Sequence, residues 1–134
     1  MSIKLQTFLE ANEDLNSLQR ETIALVLGAS PKTSYSVRAL ERAQAMIQKS
    51  LDSGSVVNNF NTEGDMVNRP NHYTRFEIEP TYMAMSNDLN WCEGNFLKYI
   101  CRYPYKNGAE DLRKAMRYLE MYIKYLQGDT EWSL

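Results

Sequence analysis

Lys98, Arg102 and Lys106 recur at helical spacing behind Gly94-Asn95, and Asp111-Leu112-Arg113-Lys114 follows a few residues later. Side chains of these types converging on one place suit an anion, and phosphate above all, because several N–H donors and positive charge can meet its oxygens together. Between Lys98 and Lys124 there are seven Lys or Arg against three Asp or Glu, whereas the rest of the chain has eight against fourteen. Positive charge is therefore concentrated in one stretch of a chain whose formal net charge is −2. That balance argues against general nucleic-acid binding and favours a focused site for an anionic ligand such as a nucleotide.

The elements that must position these residues read as helices. Asn16 is placed to cap a helix over Ser17 to Leu27, which Gly28 and Pro31 end, and a second helix over Val37 to Leu51 sets Val37, Leu40, Ala43, Ile47 and Leu51 along one stripe. Residues 52–69 lose that periodicity and read as a connection. Pro80 suits a first helical turn, and Asn90 with Glu93 has the capping-box pattern for a helix from Trp91 to about Tyr103. On it Cys92, Phe96, Tyr99, Ile100 and Tyr103 share an apolar side, while Trp91, Asn95, Lys98 and Arg102 follow another. Pro104 and Asn107-Gly108 turn the chain into a last helix, Ala109 to Gln127, stopped by Gly128. The expected fold is all-α, a small helical bundle with a C-terminal antiparallel helical hairpin, divided into a helical region and linker over 1–65 and a helical domain over 66–134.

Each candidate has a plainer reading beside the functional one. Exposed Lys and Arg are commonly solvated or paired with carboxylates such as Glu110 and Glu120. Asn95 either orients a ligand through its amide or bonds the turn before it. Asp111 either helps hold Mg²⁺ beside a nucleotide or serves the helix dipole. His72, the only histidine, and Tyr73 either meet a base or the acceptor, or are structural. Tyr99, Tyr118, Tyr122 and Tyr125 and several methionines are expected to fill the core or a subunit contact. The glycines form no Walker A loop, and there is no nucleophile elbow, His-Glu-x-x-His helix or dinucleotide fingerprint. Cys92 and Cys101, nine apart on one helix, face opposite ways, so no disulfide is expected between them, and with one histidine and no second cysteine pair no zinc site is expected either. No apolar run is long enough to span a bilayer, and Met1 to Lys4 does not open a signal peptide, so a cytosolic protein is expected.

Pro70-Asn71-His72-Tyr73, Gly94-Asn95-x-x-Lys98-Tyr99-x-x-Arg102, Lys106-x-Gly108 and Asp111-Leu112-x-Lys114-Ala115-x-x-Tyr118, in this order, resemble a family of small bacteriophage proteins that includes the SaV-like proteins and the nucleotide kinase of T7-like phages. The resemblance spans roughly residues 67–128. It implies phosphorylation of the deoxynucleoside monophosphates dTMP and dGMP by a nucleoside triphosphate with Mg²⁺, in a homo-oligomer without a Walker A loop, within the cytoplasm of an infected bacterial host. On the matching positions, the expected site has Asp111, Arg102 and His72 as catalytic residues and Asp111 as the metal ligand. Tyr73, Asn95, Lys98, Arg102, Lys106 and Lys114 bind the nucleotide and its phosphates. Tyr103-Pro104-Tyr105 replaces the shorter connection usual in that family, and residues 1–65 do not resemble the Cys-rich N-terminal half of the kinase. Two other functions fit the same residues: a phage protein that sequesters a nucleotide signal without turning it over, and a helical protein-interaction module.

Overall fold

Among the described residues, apolar stripes at helical spacing and local capping signals resolve into six helices and no strand. A computed structural model of the chain describes residues 2–28, 36–56 and 76–134. The helices are α1 (Leu5–Ala11), α2 (Ser17–Gly28), α3 (Val37–Asp52), α4 (Pro80–Ser86), α5 (Trp91–Arg102) and α6 (Ala109–Leu126). The expected all-α bundle with its C-terminal helical hairpin is thus the observed architecture. Its local punctuation is where the sequence signals put it. Asn16 Oδ1 accepts from the Gln19 N–H at 2.9 Å and Gln19 Oε1 accepts from the Asn16 N–H at 2.8 Å, closing the start of α2. Asn90 and Glu93 close α5 in the same reciprocal way. Gly108 and Gly128, at φ +51° and +81°, hold the left-handed turns before and after α6, where a side chain would be strained.

The helices bury one face each in a shared core. The hairpin partners α5 and α6 pack on each other, α3 lies on α6, α2 bridges α3 and α5, α4 lies on α5, and α1 rests on α2. Phe8, Ile23, Leu40 and Ile47 from the first part of the chain and Phe96, Leu97, Ile100, Leu112 and Leu119 from the second belong to one cluster of fully or almost fully buried side chains. Each contributes on the order of 2 kcal/mol by leaving water. A division near residue 65 therefore marks a place along the chain and does not separate two cores.

Polar ties reinforce this union. Gln19, fully buried, donates from Nε2 to the carbonyls of Ile100 (3.0 Å) and Cys101 (3.1 Å) in the last turn of α5. Asn16 Nδ2 donates to the Tyr103 hydroxyl at 2.9 Å. Asn12 pairs with the backbone of Ile78 in both directions, donating to its carbonyl and accepting from its N–H. The Arg20 guanidinium donates to the carbonyls of Leu9, Asn12, Leu15 and Glu13, fastening α1 and the following turn to α2. Three amides from residues 12–19 thus hold the segment leading into α4 and the end of α5, the two elements that enclose the candidate site.

Candidate functional site

Between α4 and α5 lies a cavity of about 320 Å³. One wall is largely apolar, with Phe76, Pro80, Ala84 and Met85. The other belongs to α5 and presents Gly94, Asn95, Lys98 and Arg102. The capping box sets where α5 begins, and its helical repeat puts these residues on one side, while Phe96, Leu97 and Ile100 face the core with no exposed surface. Cys101 sits at the cavity floor, fully buried. Burial pushes its thiol well above the ordinary range, so it packs as a neutral group and is not an activated nucleophile.

Arg102 is held in place by Asp111. Its Nε donates to Asp111 Oδ2 at 3.0 Å and its Nη2 to Oδ1 at 3.2 Å, and the Asn107 backbone N–H and side-chain amide supply further bonds to the two oxygens. The Asp111 side chain has no exposed surface, whereas that of Arg102 keeps 14%. Gripping the carboxylate with one edge of the guanidinium leaves Nη1 as the donor nitrogen without a partner among the described residues. Because both carboxylate oxygens are occupied and the group is closed to solvent, Asp111 does not offer the open position a metal requires. Nor does any group of three or more His, Cys, Asp or Glu among the described residues gather to hold an ion. In this arrangement Asp111, expected as Mg²⁺ ligand and catalytic residue, is engaged by Arg102 and Asn107. It positions Arg102 and does not itself reach the cavity.

Tyr99 gathers the remaining charge. Arg102 Cζ stands 4.8 Å from its ring centroid, Lys98 Nζ 5.1 Å and Lys114 Nζ 5.5 Å, all within cation–π range. Its ring lies nearly parallel to that of Tyr118, with centroids 6.0 Å apart. Lys114 also meets Glu110 at 3.3 Å in an exposed pair that an anion can displace at small cost. Lys98 makes no ion pair with the described carboxylates and keeps its charge available. Lys106 stands in the turn, where its backbone N–H donates to the Arg102 carbonyl, and its side chain is not part of the cavity lining. Asn95 donates from Nδ2 to the Trp91 carbonyl at 2.9 Å, the plainer of its two expected roles, yet it still borders the cavity. His72, Tyr73 and Pro70 lie outside the described residues.

The structure therefore brings Asn95, Lys98 and Arg102 together at one cavity, with Lys114 beside them and Lys106 apart. Sequence reasoning missed the opposite wall and the part played by Tyr99, which was assigned to the apolar side. A signal for the wall existed: a helix opened by Pro80 and another opened by Asn90 so soon after must pack closely. Gly94 belongs to the same motif, and its spacing alone gives no reason for a glycine. It lies inside α5 at an ordinary helical angle, where glycine costs about 1 kcal/mol relative to alanine, and apart from its chain neighbours and the backbone of its own helix no atom of the described residues lies within 4 Å of the place its Cβ would take.

Fold and site together define a small all-α protein with a cation-lined, half-apolar cavity. Residues 67–120 match the model of a family described as proteins of unknown function, DUF3310. That region contains α4, α5, the turn and most of α6. No curated protein and no solved structure matched the chain.

Proposed function

We propose that the cavity between α4 and α5 binds a nucleotide, and that the protein transfers a phosphoryl group from a nucleoside triphosphate to a deoxynucleoside monophosphate, with dTMP and dGMP as the acceptors implied by the phage-kinase resemblance. The observation that carries the reading is the pairing of an apolar wall with a wall formed by Lys98 and Arg102, where Lys98 has no ion pair and Arg102 Nη1 no hydrogen-bond partner among the described residues. A phosphate oxygen of the monophosphate would attack the γ-phosphorus of the donor while the bond to the β,γ-bridging oxygen breaks, giving two diphosphates with no net proton change required of the protein. Such transfer needs positioning and charge neutralisation more than covalent chemistry, and Lys98 and Arg102 can supply both. Mg²⁺ would accompany the donor's phosphates, since the described carboxylates do not form a cage for it. Exposed Tyr82, Met85, Trp91 and Tyr125 are compatible with a homo-oligomer. No helix among the described residues is long and apolar enough to cross a membrane.

A nucleotide-sequestering protein would use the same cavity. It needs only the cations and the apolar wall, since no carboxylate among the described residues lines the cavity. Incubation with ATP, Mg²⁺ and each deoxynucleoside monophosphate, followed by chromatography, separates the two. New deoxynucleoside diphosphate supports the kinase. A raised melting temperature without turnover supports sequestration. Neither response to any nucleotide removes the whole reading.

A further inference from the structure

We infer that Gly94 and Asn95 form the base end of the cavity, with a flat nucleobase lying over the Gly94 backbone and donating an N–H to Asn95 Oδ1. The inference rests on the nucleotide reading above and goes beyond it by orienting the ligand. Glycine is a poor choice inside a helix, and here neither its dihedral angle nor a neighbouring atom among the described residues demands it. What the missing side chain does provide is room at the cavity wall, where a planar group can approach the helix backbone. Asn95, the next residue, has a fixed orientation. The Trp91 carbonyl can only accept, so the atom facing it is the amide nitrogen, and the acceptor Oδ1 is the end left without a partner among the described residues. Seven residues further along the same face, about 10 Å by helical rise, Arg102 presents its spare Nη1, with Lys98 between. Base at one end and phosphate at the other thus span a single nucleotide along α5.

Thymidine monophosphate is a suitable probe because N3–H is the only N–H of its base. Calorimetric titration of the full chain with dTMP and with its N3-methylated analogue, combined with melting curves, tests both residues. Gly94→Ala is expected to melt higher by about 3–5 °C, since the helix gains, while binding dTMP at least about tenfold more weakly. No purely structural role gives those opposite signs. The methylated analogue is expected to bind the unaltered protein roughly tenfold less tightly, and Asn95→Ala should abolish that gap. Unchanged dTMP affinity in Gly94→Ala, a lower melting temperature in that variant, or a methylation gap that persists in Asn95→Ala would overturn the placement. If the unaltered protein binds dTMP and these outcomes fail, only the placement falls. If it binds no nucleotide, the reading beneath it falls as well.

Discussion

The two long faces of α5 are built by opposite rules. Toward α2 and α6 it sets Phe96, Leu97 and Ile100, all without exposed surface, in a core shared with Phe8 and Leu40. Toward α4 it sets Gly94, Asn95, Lys98 and Arg102 around open space. The first face contains residues that a helix and a core both favour. The second has glycine and asparagine in the helix interior, two residues that helices disfavour, and a lysine left without an anionic partner among the described residues. Folding alone explains the first face, and the second is the one to which the proposed nucleotide is assigned.

That contrast can be broken at either face. Phe96→Ala should have the largest effect, about 4 kcal/mol lost in denaturant unfolding, because it opens a void where nothing can relax into place. A loss under about 1 kcal/mol would show that this face is not the core. Asp111→Ala comes next, at about 3 kcal/mol, since it strips the partner from a largely buried guanidinium, and nucleotide affinity should fall with it as Arg102 loses its orientation. Intact affinity would uncouple Asp111 from the cavity. Alkaline titration probes the core face again. Burial, reinforced by the negative charge of Glu93, pushes the Tyr122 phenol up to about 12, from an ordinary value of 10.0. The folded state thus favours the protonated phenol, so this contribution is fully present below pH 10 and is lost as pH rises toward 12. Burial raises Tyr103 in the same direction. Tyr122→Phe should flatten the fall in stability across that window, seen by circular dichroism; an unchanged slope would assign the fall to other groups. Lys98→Ala inverts the pattern of Phe96→Ala: stability within about 0.5 kcal/mol of the parent, as expected for an exposed side chain, and nucleotide binding weakened roughly tenfold in calorimetry. Equal affinity would remove Lys98 from the site. Smallest of all, Glu110→Ala should change stability by less than about 0.5 kcal/mol, because its pair with Lys114 is exposed.

Sequence legibility followed interaction range. The Asn90–Glu93 capping box, the start of α4 at Pro80, the Asn16 cap, the turn at Gly108 and the stop at Gly128 depend on neighbours within a turn, and each is readable from spacing. The stripe Asn95, Lys98, Arg102 was readable for the same reason. Helix α1 was not, because its seven residues have little periodicity and it is fastened from outside by Arg20. The grip of Arg102 on Asp111 was missed although the residues are only nine apart, because the turn between them must fold before they meet. First-turn position suggested a dipole or metal role for Asp111, and only tertiary geometry reveals its partner. The far wall of the cavity is likewise a product of packing.

The amides of Asn12, Asn16 and Gln19 reach across more than sixty residues of chain to Ile78, Tyr103, Ile100 and Cys101. Residues 67–120, the part shared with DUF3310, therefore include the charged furniture of the cavity but not the braces that fix its width. A shortened protein starting at residue 67 would retain Lys98, Arg102 and Asp111 yet leave the carbonyls at the end of α5 to water and the approach to α4 unmoored.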